Sequence, residues 1–204
     1  MGSPRRPVKD SYPQLIRRGY DLLRAGDLEK ALGQFQGALR LARALGDPER
    51  TNKALSNIST CFIELGEYEK ASKGLREIIL RSADDETICA ASYNLSISLR
   101  RLGQIQKAYT YATRAAEKAR VLRDLNWMAR CHNLVGNIHL VQSHLDKALQ
   151  QYQKALALRM RETEINRFSI AILKDNIGYC LMLQGEYQKG IDAVNEALDL
   201  VTDL

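Results

Sequence analysis

The chain has 204 residues, of which 45% are hydrophobic and only 4 are proline, and its formal net charge is +6 at pH 7. The 30 basic residues are interleaved with 24 acidic ones, which disfavours a dedicated nucleic-acid-binding surface. No stretch reaches the roughly 18 consecutive apolar residues of a membrane-spanning helix, and the N-terminus lacks the apolar run of a secretion signal. We therefore expect a soluble, cytoplasmic protein that is rich in helix and does not contact a membrane.

The first residues, MGSPRRPVKD, show no periodic pattern, so residues 1–11 are predicted to be a disordered leader. Arg6 stands where a myristoylation signal needs serine or threonine. The four cysteines are scattered without a CxxC pair, which favours a reduced, intracellular setting.

One short phrase recurs five times along the chain. It reads AGDLEKA at 25–31, LGEYEKA at 65–71, LGQIQKA at 102–108, QSHLDKA at 142–148 and QGEYQKG at 184–190. The last residues of these copies are spaced by 40, 37, 40 and 42 positions. Self-similarity at such a period indicates a stack of repeated units, each of which contacts mainly its neighbours.

Small residues occupy two fixed places in each repeat. Twelve positions before the end of the phrase lie Gly19, Ser59, Ser96, Gly136 and Gly178. Within the phrase lie Gly26, Gly66, Gly103 and Gly185, with Ser143 in the fourth copy. The first set allows two helices to approach closely, and the second can end a helix in a left-handed conformation. Each repeat is therefore predicted to be a helix A, a tight turn and a helix B, with the least regular turn at Ser143.

This frame predicts ten helices. Helices A are expected at 12–25, 49–65, 86–102, 126–142 and 165–184, and helices B at 28–44, 68–81, 105–122, 145–160 and 187–203. Asp47 before Pro48 is typical of a helix start, and the segments 82–86, 123–126 and 161–164 resemble weaker starts. The five repeats then span about 12–46, 47–84, 85–124, 125–162 and 163–204.

The repeats resemble a known family in the identity of these residues. The matching positions are Gly19, Gly26, Leu28, Ala31, Phe35 and Ala38 in the first repeat; Leu55, Phe62, Gly66, Tyr68 and Ala71 in the second; and Gly136, Leu145, Ala148, Tyr152 and Ala155 in the fourth. They resemble the tetratricopeptide repeat, in its long-repeat subclass of about 40 residues found in kinesin light chains, LGN-type proteins and bacterial regulators. The resemblance implies an all-α, right-handed α-solenoid of five helix–turn–helix repeats. It also implies that helices A line a concave groove for a peptide or partner helix.

Asparagine recurs at one register of the helices A, at Asn57, Asn94 and Asn176. An amide both donates and accepts hydrogen bonds, so a row of amides can hold the backbone of an extended ligand. The resemblance implies that role, because related groove-binding repeats hold peptide backbone at this position. In the fourth repeat either Asn133 or Asn137 could substitute. The alternative is that these amides bond to the neighbouring helix or to water.

Residues that share a helix face with this register complete the predicted groove. Arg100, Arg101 and Arg130 make its middle basic, and Ile172 and Leu183 make its C-terminal end apolar. A ligand with acidic residues followed by apolar ones would complement it, unless the arginines only form a solvated face. The predicted groove residues are Lys53, Asn57, Thr60, Tyr93, Asn94, Arg101, Arg130, Asn133, Asn137, Asn176 and Tyr179.

Catalytic and metal-binding patterns are missing from the sequence. It has no phosphate-binding glycine loop, HExxH motif or nucleophile elbow. His132, His139 and His144 lack a further ligand at metal-binding spacing. The prediction is a non-catalytic protein–protein interaction scaffold or adaptor, without metal or cofactor, that binds a peptide segment of a partner protein.

The last predicted helix carries an apolar stripe at Ile191, Val194, Leu198 and Val201. Terminal repeats normally have a polar outer face. We expect either that the chain is part of a longer protein or that this helix contacts a partner, with a second copy of the chain as one candidate. A self-associating or regulatory module is therefore the alternative function.

Overall fold

The computed structural model describes residues 11–164 and 166–202, and this part of the chain forms ten α-helices and no strands. The helices A are α1 (Tyr12–Arg24), α3 (Pro48–Glu64), α5 (Asp85–Arg101), α7 (Leu125–Val141) and α9 (Arg167–Leu183). The helices B are α2 (Leu28–Ala44), α4 (Tyr68–Arg81), α6 (Ile105–Leu122), α8 (Leu145–Arg159) and α10 (Tyr187–Thr202). The all-α prediction is confirmed, and the predicted boundaries lie within two residues of the observed ones, except for the predicted end of α10 at 203, which lies outside the described residues. The predicted leader lies outside the described residues, apart from Ser11, the N-cap of α1.

The chain divides after Ser82 into two compact units. In the first unit, α2 packs against both α1 and α3, and α3 packs against α4. In the second unit, each helix from α5 to α9 packs against the next one in the chain. Within each unit, the helices A therefore lie beside one another in sequence order and can present one continuous face.

Side-chain caps define where the later helices A begin. Asp47, Asp84, Asp124 and Asn166 each accept a hydrogen bond from the backbone N–H three residues ahead, as N-cap residues do. The prediction at Asp47 is confirmed. The start of α9 differs from the prediction, because the amide of Asn166 caps it by accepting from Ser169 N at 2.9 Å, rather than a residue of the segment 161–164.

The turn from helix A to helix B has a left-handed residue in every repeat. Gly26, Gly66, Gly103 and Gly185 have φ between 71° and 86°, and Ser143 has φ of 59° in the same place. A residue with a Cβ costs about 1 kcal/mol in this conformation. The fourth turn therefore keeps the geometry of the others with an unfavourable residue.

The small residues of helix A lie where helix B crosses it. A methyl group at Gly136 would come within 2.5 Å of the ring of Tyr152, and one at Gly19 within 2.3 Å of the ring of Phe35. In the third repeat Ser96 fills this place, and its hydroxyl donates to the carbonyl oxygen of Ala108 at 2.7 Å. The predicted close approach of the paired helices is confirmed.

Candidate functional site

Helices α1 and α3 line a cleft of about 570 Å³ in the first unit. Its floor contains the buried side chains of Tyr12 and Ile16. Its charged lining consists of Arg17, Arg24, Arg50 and Lys53 with Asp21 and Glu49. Four cations face two carboxylates here, so the predicted residue Lys53 lies in a cleft with an excess of positive charge.

The side chains of Asn57 and Thr60 already make hydrogen bonds within the first unit. The hydroxyl of Tyr20 in α1 donates to Asn57 Oδ1 at 3.1 Å, while the buried Nδ2 of Asn57 has no partner among the described residues. The hydroxyl of Thr60 donates to the carbonyl oxygen of Ser56, one turn earlier in the same helix. The Asn57 amide therefore joins two helices A and still has an unused donor.

The amides of the second unit fall into two classes. Asn176 Nδ2 in α9 donates to Asn133 Oδ1 in α7 at 3.0 Å, and Asn137 Oδ1 accepts from the hydroxyl of Tyr152 at 2.8 Å. The half-buried Asn94 side chain makes no hydrogen bond to any described residue. Both interpretations of the register thus have a basis here: Asn133, Asn137 and Asn176 join helices, whereas Asn94 has an amide available to a ligand.

Arg130 lies against two aromatic rings. Its guanidinium carbon is 4.3 Å from the ring centre of Trp127 and 4.7 Å from that of Tyr93, both distances typical of cation–π contacts. Arg101, one of the predicted basic residues, is exposed at the end of α5. Trp127 is not among the predicted groove residues, although it is the only tryptophan in the chain and lies three positions before an arginine on a helix, which was an available signal.

Arg159 is a buried cation that is not among the predicted groove residues. It is 8% exposed, and its Nη1 donates to Asn126 Oδ1 and Glu162 Oε1, both at 2.8 Å. It lines a shared cleft with Arg130. The sequence contains a signal for it, because Arg159 is a long cation at a helix B position where α2 and α6 have the small residues Ala42 and Ala119.

Apolar side chains of α9 are exposed on the face that carries Asn176. Ile172 is 41% exposed, and Tyr179 and Leu183 are each 50% exposed. These residues lie four positions before, three after and seven after Asn176, and therefore on one side of the helix. Val141 of α7, 53% exposed, lies seven positions after Leu134, the α7 residue at the register of Asn176.

The predicted stripe on α10 is only partly open. Ile191 and Leu198 are exposed, but Val194 and Val201 are half-buried. A methyl group at Gly178 would come within 2.7 Å of Val194 Cγ2, so Val194 packs against α9 and does not belong to the outer face. The open face of α10 is instead formed by Tyr187, Ile191 and Leu198.

The histidines do not form a metal centre among the described residues, which contain no group of three or more potential metal ligands. His132 Nδ1 lies 2.7 Å from Gln151 Oε1, and the ring of His139 lies between those of Tyr109 and His144. Burial, with nearby Lys147 and His144, lowers the pKa of His139.

In the described part of the chain, no helix is both long and apolar enough to cross a bilayer.

Comparison with known proteins agrees with the repeat geometry. The sequence model of the tetratricopeptide repeat matches residues 14–79 and 86–161. A curated relative, the 43 kDa receptor-associated protein of the synapse from Tetronarce californica, is 26% identical over 192 residues, which cover 91% of this chain and 46% of that protein. The chain thus spans less than half of that relative's length.

Solved structures of low identity have the same fold. The crystal structure of BtubC (BKLC) from P. vanneervenii superposes with a TM-score of 0.82 at 21% identity, covering 94% of this chain and 80% of that one. A putative kinesin light chain from Podosopora anserina with TPR-like repeats gives 0.74 at 10% identity, covering 91% and 92%. With five helical pairs spaced by about 40 residues, this chain belongs to the tetratricopeptide repeat family.

Proposed function

We propose that this chain is a non-catalytic, cytoplasmic scaffold that binds a peptide segment of a partner protein along α5, α7 and α9 of the second unit. Repeats of this family generally mediate protein–protein interactions. The observation that carries the proposal is the exposed apolar row of Ile172, Tyr179 and Leu183 on the face that also carries Asn176. Exposed apolar side chains beside fixed polar groups are typical of a binding surface.

The amides supply the polar part of this surface. Asn133 and Asn176 hold each other in place, so the free lone pairs and N–H groups of these amides have fixed directions. Asn94 adds an amide without a described partner. Such groups can bind the peptide backbone of an extended segment whatever its side chains are.

Positive charge determines the ligand chemistry. Arg101 is exposed on α5, and Arg130 is held by Tyr93 and Trp127 on α5 and α7. The apolar residues are on α9. A segment with acidic residues at one end and apolar residues at the other would match both parts.

The cytoplasmic location is proposed from the cysteines. Cys61, Cys89, Cys131 and Cys180 are all buried free thiols. Oxidising compartments favour disulfides, whereas buried thiols are common in proteins of reducing compartments.

A peptide-display experiment tests the binding function. Three adjacent helices about 10 Å apart span roughly 20 Å, so randomised peptides of about 12 residues are long enough. We expect selection on the full chain to enrich acidic residues followed by apolar ones. Fluorescence anisotropy should then show binding that weakens at least about tenfold in Tyr179→Ala/Leu183→Ala.

The matched control is Val121→Ala/Leu122→Ala on α6, which also removes two exposed apolar side chains of the second unit. This control should bind like the unchanged chain. Failure to enrich any peptide, or equal losses in the two double variants, would contradict the proposed surface.

A further inference from the structure

A small pocket lies within the proposed peptide surface, where side chains of α5, α7, α8 and α9 meet. Its volume is about 170 Å³, and its polar lining consists of Arg130, Asn133, Arg159 and Ser169. A water molecule occupies about 30 Å³ in the liquid, so the pocket can hold on the order of five waters. It can therefore take one short side chain of a bound segment.

The two arginines of this pocket have N–H donors that no described residue uses. Arg130 contacts two aromatic rings but makes no hydrogen bond or ion pair with a described residue. The two hydrogen bonds of Arg159 both start from Nη1, so its Nε and Nη2 have no partner among the described residues. Neither atom is sealed off from solvent. Both guanidinium groups therefore keep donors for a ligand in the pocket.

Both guanidinium groups are also held in place before a ligand binds. Cation–π contacts hold the guanidinium carbon of Arg130 at 4.3 and 4.7 Å from two ring centres. Arg159 is 8% exposed and donates to Asn126 in α7 and to Glu162 after α8, both at 2.8 Å. An anion that binds between them costs little further side-chain entropy, because these side chains are already fixed.

The remaining wall of the pocket is apolar. It contains the buried side chains of Ala129 and Leu173 and the exposed Ile172. Such a wall can contact the methylene groups of an acidic side chain and exclude water from its charged end. Hydrogen bonds between charged groups are stronger where water is excluded.

The charge around the pocket favours one carboxylate over a phosphate. Glu162 is already paired with Arg159, and Glu164 lines the adjoining cleft together with both arginines. A carboxylate brings one negative charge, whereas a phosphorylated side chain brings about −1.5 to −2. The two glutamates would repel the phosphate more strongly, so a monoanion is the better match.

We propose that this pocket binds the side-chain carboxylate of one Asp or Glu within the partner segment, held between Arg130 and Arg159. This inference rests on the proposed peptide site and names the residue that the site selects. Ile172 at the pocket and the exposed Tyr179 are seven positions apart on α9, about 10 Å along the helix. An extended segment covers this distance in about three residues, so the acidic residue precedes the first apolar one by about three positions.

Display selection on the full chain and on two variants tests the pocket. Arg130→Gln removes one of its cations. The matched control, Arg114→Gln, removes the same charge from an exposed site on α6. The unchanged chain and the control should both enrich Asp or Glu about three positions before an apolar residue. Arg130→Gln should enrich the apolar residue without that acidic preference.

Fluorescence anisotropy with a selected peptide measures the contact directly. The peptides are amidated, so the only carboxylates are those of side chains. Changing the acidic residue to its amide should weaken binding to the unchanged chain at least about tenfold, but binding to Arg130→Gln less than about twofold. Phosphoserine at the same position should bind at least about threefold more weakly than the acidic residue. Circular dichroism checks that Arg130→Gln is folded.

Arg159 is better observed than replaced, because it also joins α7 to the end of α8. Its Nε–H resonance in the NMR spectrum of the unchanged chain can be assigned with Arg159→Lys. A saturating amount of the acidic peptide should shift this resonance more than a saturating amount of the amide peptide. A purely structural Arg159 would give equal shifts.

The possible failures separate the two proposals. If no peptide is enriched, the peptide site is wrong and the pocket assignment falls with it. If peptides bind but the acidic residue matters equally in the unchanged chain and in Arg130→Gln, only the pocket assignment is wrong. Equal shifts of the Arg159 resonance would also overturn it. Tighter binding of the phosphoserine peptide would replace the carboxylate with a phosphate as the ligand.

Discussion

Asn176 in α9 donates a hydrogen bond to Asn133 in α7, and this bond joins two helices A whose asparagines are 43 residues apart in sequence. Within the first unit, Tyr20 and Asn57 join α1 and α3 in a similar way. Two of the three recurring asparagines, Asn57 and Asn176, therefore hold neighbouring helices A together. The third, Asn94, makes no side-chain hydrogen bond to a described residue.

This difference predicts different effects of two alanine substitutions. Asn176→Ala should lower the free energy of unfolding by about 1 kcal/mol, because it removes a half-buried hydrogen bond and leaves Asn133 Oδ1 unpaired. Asn94→Ala should change stability by less than about 0.5 kcal/mol and weaken peptide binding instead. Urea unfolding measures the first effect and anisotropy the second. Equal stability losses in the two variants would show that Asn94 is structural as well.

Two glycines of the first unit should respond to alanine in opposite directions. Gly19→Ala should destabilise the chain by about 1–3 kcal/mol, because the new methyl group overlaps the ring of Phe35. Gly33 lies within α2 with no atom near an added Cβ, so Gly33→Ala should stabilise by about 0.5–1 kcal/mol through helix propensity. Thermal unfolding of both variants tests the close approach of α1 and α2. A neutral Gly19→Ala variant would disprove it.

The turn of the fourth repeat can be made more stable by a single substitution. Ser143 has a left-handed φ that the other four repeats assign to glycine, so Ser143→Gly should stabilise the chain by about 0.5–1 kcal/mol. The reverse change, Gly185→Ser, should destabilise by a similar amount, because Gly185 has φ of 86°. Differential scanning calorimetry measures both variants. A lower unfolding temperature for Ser143→Gly would show that the serine hydroxyl has a stabilising contact.

His139 should make the stability depend on pH. Its pKa is lowered in the folded chain, chiefly by burial and further by Lys147 and His144, so the unfolded chain binds the proton first as pH falls. The stability that neutral His139 contributes is present above about pH 6.5, the ordinary histidine pKa, and is lost as pH falls below it. In His139→Gln the unfolding free energy should therefore fall less than in the unchanged chain as pH is lowered from about 7.5 to 5.5. Urea unfolding measures the unfolding free energy of both chains across this range. The same slope against pH in the unchanged chain and in His139→Gln would contradict the assignment.

Local sequence rules were sufficient for the helices and turns. A capping carboxylate or amide acts on a backbone N–H three residues ahead, and glycine acts on its own φ, so Asp47 and Gly66 identify boundaries without knowledge of the tertiary fold. The repeated small residues also predicted the approach of paired helices, because Gly136 and Tyr152 lie in the same hairpin. The sequence by itself therefore determined the ten helices, their pairing and the family.

Only the tertiary structure decided which polar side chains are available and which are already bonded. Asn94 and Asn176 share a register, but their surroundings depend on residues of another helix A, such as Asn133. The buried guanidinium of Arg159 is satisfied partly by Asn126, 33 positions away, which accepts its hydrogen bond. Val194 belongs to the α9 contact rather than to the outer face, because the glycine at 178 lets it approach. The physical reason is range: a cap or turn is satisfied within one helical turn, whereas these contacts depend on the packing of helices far apart in the sequence.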